Sequence, residues 1–98
     1  RPMVTIGMNY KVLPGKGETF VNACNGVIRA MEKIEGHSSS QLYQDVNEEG
    51  SYLIVSDWDS QEAFDGFIRS DSFRKVTSWG EEQILAGRPR HQVYSPSE

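Results

Sequence analysis

The chain has 98 residues, which suits one domain with a single modest core. A hydrophobic fraction of 37% with recurring aromatic and β-branched residues excludes the disordered class. A net charge of −4 with no basic block argues against a surface that tracks nucleic-acid phosphates. No run approaches the roughly 20 apolar residues of a membrane span, and no charged-then-apolar leader precedes the first strand, so a cytoplasmic setting is expected. Cys24 is the only cysteine, which rules out an intrachain disulfide or a cysteine metal cluster. Arg1-Pro2 reads as a remnant ahead of a native start at Met3.

Val4 to Leu13 alternates, with Val4, Ile6, Met8, Tyr10 and Val12 on one face and Thr5, Gly7, Asn9, Lys11 and Leu13 on the other. That period of two predicts a strand, and Gly7 inside it predicts close approach by another group. Pro14-Gly15-Lys16-Gly17 supplies the turn. From Glu18 to about Glu35 the spacing changes to threes and fours, with Phe20, Cys24, Val27, Met31 and Ile34 on one stripe. This is an amphipathic helix that Gly36 terminates, and Cys24 on its stripe reads as an inert buried thiol.

Ser38 to Val46 reads as a polar strand, Asn47 to Gly50 as a hairpin turn, and Ser51 to Trp58 as a central strand, since Leu53-Ile54-Val55 is apolar on both faces. Asp59 and Glu62 predict a capping box for the next helix, whose inward face is Ala63, Phe64, Phe67 and Ile68. Ser70-Asp71-Ser72 is a second cap and Phe73, Val76 and Trp79 a new stripe, so two short helices with a kink are predicted, the second stopped by Gly80. Pro89 to Tyr94 makes the last strand, and residues 95–98 form a mobile tail.

The order is β-α-β-β-α-β, an α+β fold with the logic of a ferredoxin-like split unit: a four-stranded antiparallel sheet with the helices on one face, in a single domain over residues 3–94. The second face of the sheet is expected to carry Val, Ile and Met uncovered. A two-fold partner stacking sheet on sheet would cover it, so a homodimer is expected.

Val55-Ser56-Asp57-Trp58-Asp59-Ser60-Gln61-Glu62-Ala63-Phe64, continued by Phe67, Ser70 and Phe73, resembles the strand-to-helix signature of the antibiotic biosynthesis monooxygenase family, the dimeric α+β barrels. The resemblance extends to the first strand and to Ile34-Glu35-Gly36. It implies a pocket between helices and sheet, in a family that includes cofactor-free oxygenases of phenolic polyketides or quinols and haem-degrading monooxygenases. The haem-degrading branch implies an asparagine on the first strand, a tryptophan in the second helical region and an axial histidine ten residues further on. Here Asn9, Phe67 and Thr77 stand at those positions. With no axial imidazole, haem is disfavoured and no cofactor or metal is expected.

On that resemblance Asn9 is expected beneath the helices, as the amide that hydrogen-bonds substrate or dioxygen. Phe67, Phe73 and Trp79 are expected to wall a pocket for a small aromatic molecule, although aromatic stripes at helical spacing also build cores. His91 is the candidate acid-base group, with Arg88 beside it to hold an anion. The function expected is oxidation of a quinol, anthrone or polyketide-like aromatic by a monooxygenase without cofactor. The alternatives are a non-catalytic ligand-binding or stress-response module and a haem-binding protein with an atypical ligand such as His91.

Overall fold

Alternation decides which face of the sheet the helices cover. The computed structural model describes residues 3–94, so the expectations for residues 1–2 and for the tail 95–98 lie outside the described residues. The elements are β1 (Val4–Lys11), α1 (Gly17–Met31), β2 (His37–Gln44), β3 (Ser51–Trp58), α2 (Gln61–Ile68), α3 (Asp71–Gln83) and β4 (Arg90–Tyr94). The strands form one antiparallel sheet in the order β2-β3-β1-β4, the ferredoxin-like arrangement. Val4, Ile6 and Met8 of β1 and Tyr52, Ile54 and Trp58 of β3 pack with Phe20, Cys24 and Met31 of α1 and Phe64 of α2. The apolar side of the alternating strands is the helix-covered side, because that is where burial removes most surface from water.

The other face is open, and its composition corrects an expectation. Val4, Ile6 and Met8 do not lie there. Strand register places Thr5, Gly7, Asn9 and Lys11 on it with Leu53, Val55 and Asp57, flanked by Gln41 and Tyr43 of β2 and by Arg90, Gln92 and Tyr94 of β4. Gly7 is approached closely, as its sequence position suggests: a Cβ there would lie 3.4 Å from the Tyr94 ring. Asp57 is tied across the sheet to β1. Its carboxylate accepts from Thr5 Oγ1 at 2.7 Å across the strands.

The β3-to-α2 junction is built around Trp58, which is fully buried and donates from Nε1 to Ser56 Oγ at 3.0 Å. His37, Phe64 and Phe67 surround its ring at 5.0, 5.7 and 5.5 Å. Gly36 makes this packing possible. It has φ +93°, and a Cβ there would fall 2.6 Å from that of Ala63. Its carbonyl accepts from the Asp59 amide at 2.7 Å, tying the start of β2 to the start of α2.

The cap of α2 is Ser60, not Asp59: its Oγ accepts from the Ala63 amide at 3.2 Å. Ser70 repeats the device for α3 by accepting from Phe73 N at 3.2 Å, and its hydroxyl donates to the Phe67 carbonyl at 2.7 Å. The kink is therefore a true break between two helices. Gly80 does not stop α3, which runs on to Gln83. Instead Gly80 makes room for Leu85, 3.5 Å from where a Cβ would sit. Ile84 and Leu85 then turn inward as a buried plug, held to the end of β1 by Leu13 N donating to Ile84 O and Ala86 N to Lys11 O, both at 2.8 Å. Among the described residues no helix is long and apolar enough to cross a membrane.

Candidate functional site

Between α1, α3 and the covered face of the sheet lies a cavity of about 60 Å³. Tyr10 and Ile54 border it from the sheet, Phe20, Cys24 and Val27 from α1, Phe73, Val76, Thr77 and Trp79 from α3, and Leu85 from the plug. Helical spacing creates the α3 wall, because positions 73, 76, 77 and 80 fall on one side of the helix. The lining is almost wholly apolar, and its titratable side chains are Tyr10 and Cys24. Burial pushes the Cys24 thiol up to about 12. Burial, and then the neighbouring Cys24, raises the Tyr10 phenol well above its ordinary value of 10.0. Both groups are therefore neutral near pH 7, and neither is a base.

Tyr10 stacks against Phe20 at 5.1 Å, which fixes the ring. The hydroxyls of Tyr43 and Tyr94, outside the cavity, donate to glutamine side chains. Trp79 is 41% exposed and lines both the cavity and an outer groove with Arg74, Lys75 and Glu82. It stands between the interior space and solvent.

The residues expected to form one site fall in three places. Phe73 and Trp79 line the cavity. Phe67 does not border it but supports its wall, stacking on Phe73 at 4.9 Å and on Trp58 at 5.5 Å. Asn9 is not beneath the helices. It is exposed on the open face, opposite Leu53 and Arg90, beside an outer concavity that it shares with Lys11, Arg88, Arg90, His91 and Gln92. His91 is on edge strand β4, exposed, with its ring 5.5 Å from Phe64. Arg88 is almost fully exposed, 3.9 Å from Glu81. Sequence reasoning missed Tyr10, although the alternation of β1 already put it on the side of Val4, Ile6 and Met8.

The family model for antibiotic biosynthesis monooxygenases matches residues 3–79. The chain belongs to the antibiotic biosynthesis monooxygenase family. Over 87 residues, 89% of the chain, it is 38% identical to a candidate heme-binding protein of Haloarcula marismortui and 39% identical to one of Natronomonas pharaonis. The chain spans only 13% and 14% of the length of those relatives, so their name describes proteins that lie mostly outside the matched region. YcnE of Bacillus subtilis, a candidate monooxygenase, is 23% identical over 86% of the chain and 88% of its own length. Among solved structures, a conserved protein from Methanosarcina mazei superposes with a TM-score of 0.85 at 24% identity over 95% of this chain and 91% of its own. A candidate antibiotic biosynthesis monooxygenase from Bordetella bronchiseptica superposes with a TM-score of 0.86 at 17% identity over the full length of both chains. At these identities the structures speak for the fold.

The residues of this family member do not fit a haem. Thr77 borders the cavity, and its lining holds no imidazole to serve as an axial ligand. His37 packs against Trp58 with Nε2 2.7 Å from Ser40 Oγ, and His91 lies outside the cavity. Among the described residues no group of three or more His, Cys, Asp or Glu side chains could hold a metal ion.

Proposed function

We propose that this domain oxidises an electron-rich aromatic, a quinol or an anthrone, with dioxygen in the cavity between α1, α3 and the sheet. The reaction balances without an external reductant. The activated CH₂ of an anthrone and O₂ give a carbonyl and water, and a quinol and O₂ give a hydroxyquinone and water; in each, one oxygen atom enters the product and the substrate supplies all four electrons. The protein's part is to remove water, orient the reactants and stabilise the charged oxygen of the substrate anion. An apolar chamber whose lining holds no charged side chain is the observation that supports this reading. Its present volume suits dioxygen or about two waters rather than a ring. Entry of the aromatic therefore requires Trp79, the half-exposed wall, to turn outward.

One observation favours a second reading, a non-catalytic ligand-binding domain of the same family: neither titratable group on the cavity wall is a base. Oxygen uptake with a panel of quinols and anthrones separates the two. Uptake above the uncatalysed rate, with one O₂ consumed per substrate, supports the oxygenase. Tight binding without uptake supports the binding domain.

We also propose that the open sheet face packs on a second copy of the chain. Leu53 and Val55 supply its apolar centre, with Tyr43 and Tyr94 more than half exposed at its margins. Asp57 at one strand end and Lys11 and Arg90 at the other are complementary if the two-fold axis runs across the strands. A monomeric mass by light scattering at micromolar concentration would refute this assembly.

A further inference from the structure

We propose that the outer concavity where β1, β4 and the loop 86–88 meet binds a multivalent oxyanion, a ligand bearing two or more phosphate or carboxylate groups. This site is separate from the interior cavity and does not depend on how that cavity is read. Its first support is the lining. Asn9, Lys11, Arg88, Arg90, His91 and Gln92 border a space of about 920 Å³, and no carboxylate borders it. The whole chain has 14 acidic side chains against 10 lysines and arginines, so three cations gathered without one acid run against its average. Strand register builds the cluster. Asn9 stands opposite Arg90 across β1 and β4, and Lys11 and Gln92 follow one step along on the same face.

The second support is how these side chains are already engaged. Among the described residues Arg90 makes no ion pair, and Arg88 has only a 3.9 Å contact with Glu81. Lys11 shares its charge with Glu48, yet Glu48 and Ser51 Oγ, both at 2.9 Å, hold its ammonium in place. Gln92 Oε1 accepts from the Tyr94 hydroxyl, which leaves the Gln92 NH₂ group to donate. The Ala86 amide donates to the Lys11 carbonyl at 2.8 Å, so the rim that carries Arg88 is fixed to the strand that carries Lys11. Donors and positive charge face one space, and an oxyanion supplies the acceptors they lack. A single carboxylate on an exposed arginine gains little, because water screens the pair. Two linked oxyanion groups engage Arg88 and Arg90 together, and the second group binds at a high effective concentration. Lys11 and Arg90 are also offered to Asp57 of the proposed second copy, whereas Arg88 lies on the loop before β4, so the anion keeps a cation of its own in either assembly state.

The probes are pyrophosphate and tricarballylate, titrated calorimetrically into the full chain at low salt, with acetate as the monovalent control. The expected result is a Kd below about 1 mM for the multivalent probes, with acetate at least about tenfold weaker. Binding of one multivalent probe alone supports the site and names phosphate or carboxylate as its group. Binding of neither overturns the proposal, and so does acetate binding as tightly as they do. Arg90→Gln should weaken the bound probe at least about fivefold and Arg88→Gln at least about threefold, while Arg74→Gln on the outer face of α3 stays within about twofold. Equal weakening in all three variants would mean general screening of charge and would overturn the site. These arginines are exposed, so the fold should survive each change; should Arg90→Gln fail to fold, the comparison of Arg88→Gln with Arg74→Gln decides. The readout involves no oxygen uptake, so failure of the oxygenase reading leaves this inference standing, and the reverse holds too.

Discussion

Replacing Trp79 by alanine sets two consequences of its position against each other. The side chain is 41% exposed, so about 59% of its surface is covered. A buried aromatic hides about 150–250 Å², and the covered part here is about 90–150 Å². At about 25 cal/mol per Å² that burial is worth about 2–4 kcal/mol, an upper figure because the unfolded chain already hides part of this surface. A loss of about 2 kcal/mol is expected, which for a domain of this size lowers the melting temperature by roughly 8–16 °C. The same truncation opens the cavity to the outer groove, so a single-ring phenol should associate faster and bind no more weakly. Thermal unfolding followed by circular dichroism gives the first quantity, and stopped-flow mixing with 4-nitrophenol the second. A melting temperature within 2 °C of the wild type, with unchanged association kinetics, would refute Trp79 as the wall between cavity and solvent.

Gly36→Ala should cost more than about 2 kcal/mol by chemical denaturation, because it combines a positive φ with a Cβ 2.6 Å from that of Ala63. Adding Ala63→Gly should recover part of that loss, and no recovery would mean that the backbone angle dominates. Asn9→Ala should leave 4-nitrophenol affinity within about twofold, since its amide lies on the face away from the cavity; a tenfold loss would put that amide at the ligand. Alkaline stability follows from Cys24, whose pKa is raised from 9.0 to about 12. The folded state keeps the proton that the unfolded state releases, so this contribution is complete below pH 9 and is lost between pH 9 and about 12. The slope is about 1.4 kcal/mol per pH unit for this one group, and Cys24→Ala should flatten it when urea midpoints are compared at pH 8 and pH 10.5.

The architecture was legible because local signals agreed with one another. The Trp58-to-Phe64 junction carries a strand pattern and an aromatic helix face, and both survive in the structure, while the cap moves by one residue from Asp59 to Ser60. Asp59 has the right residue type for a cap, but Ser60 holds the extended backbone that a cap requires, and residue type does not encode that. Gly80 shows the same limit. It reads as a helix stop, yet a glycine that admits a neighbouring side chain has the same letter, and Leu85 is five residues away.

The site was legible only in part, and the reason is physical. A resemblance to a family places residues by role, whereas strand alternation places them by face, and on β1 the two conflicted. Asn9 cannot share a face with Ile6 and Met8, whose burial defines the helix side. Tyr10 can, and does. Phe73 was found because helical spacing keeps it on the inward stripe, and Trp79, at the edge of that stripe, because it is large and aromatic. Phe67 lies on the same aromatic seam but one layer off, a distinction set by the break at Ser70.

Incubation of the chain with an anthrone under ¹⁸O₂, followed by mass spectrometry of the product, decides whether this domain inserts oxygen from O₂. The anthraquinone should form faster than in the protein-free control, with one labelled oxygen in the new carbonyl and one O₂ consumed per molecule. A rate equal to that control, or a carbonyl oxygen drawn from water, would contradict it.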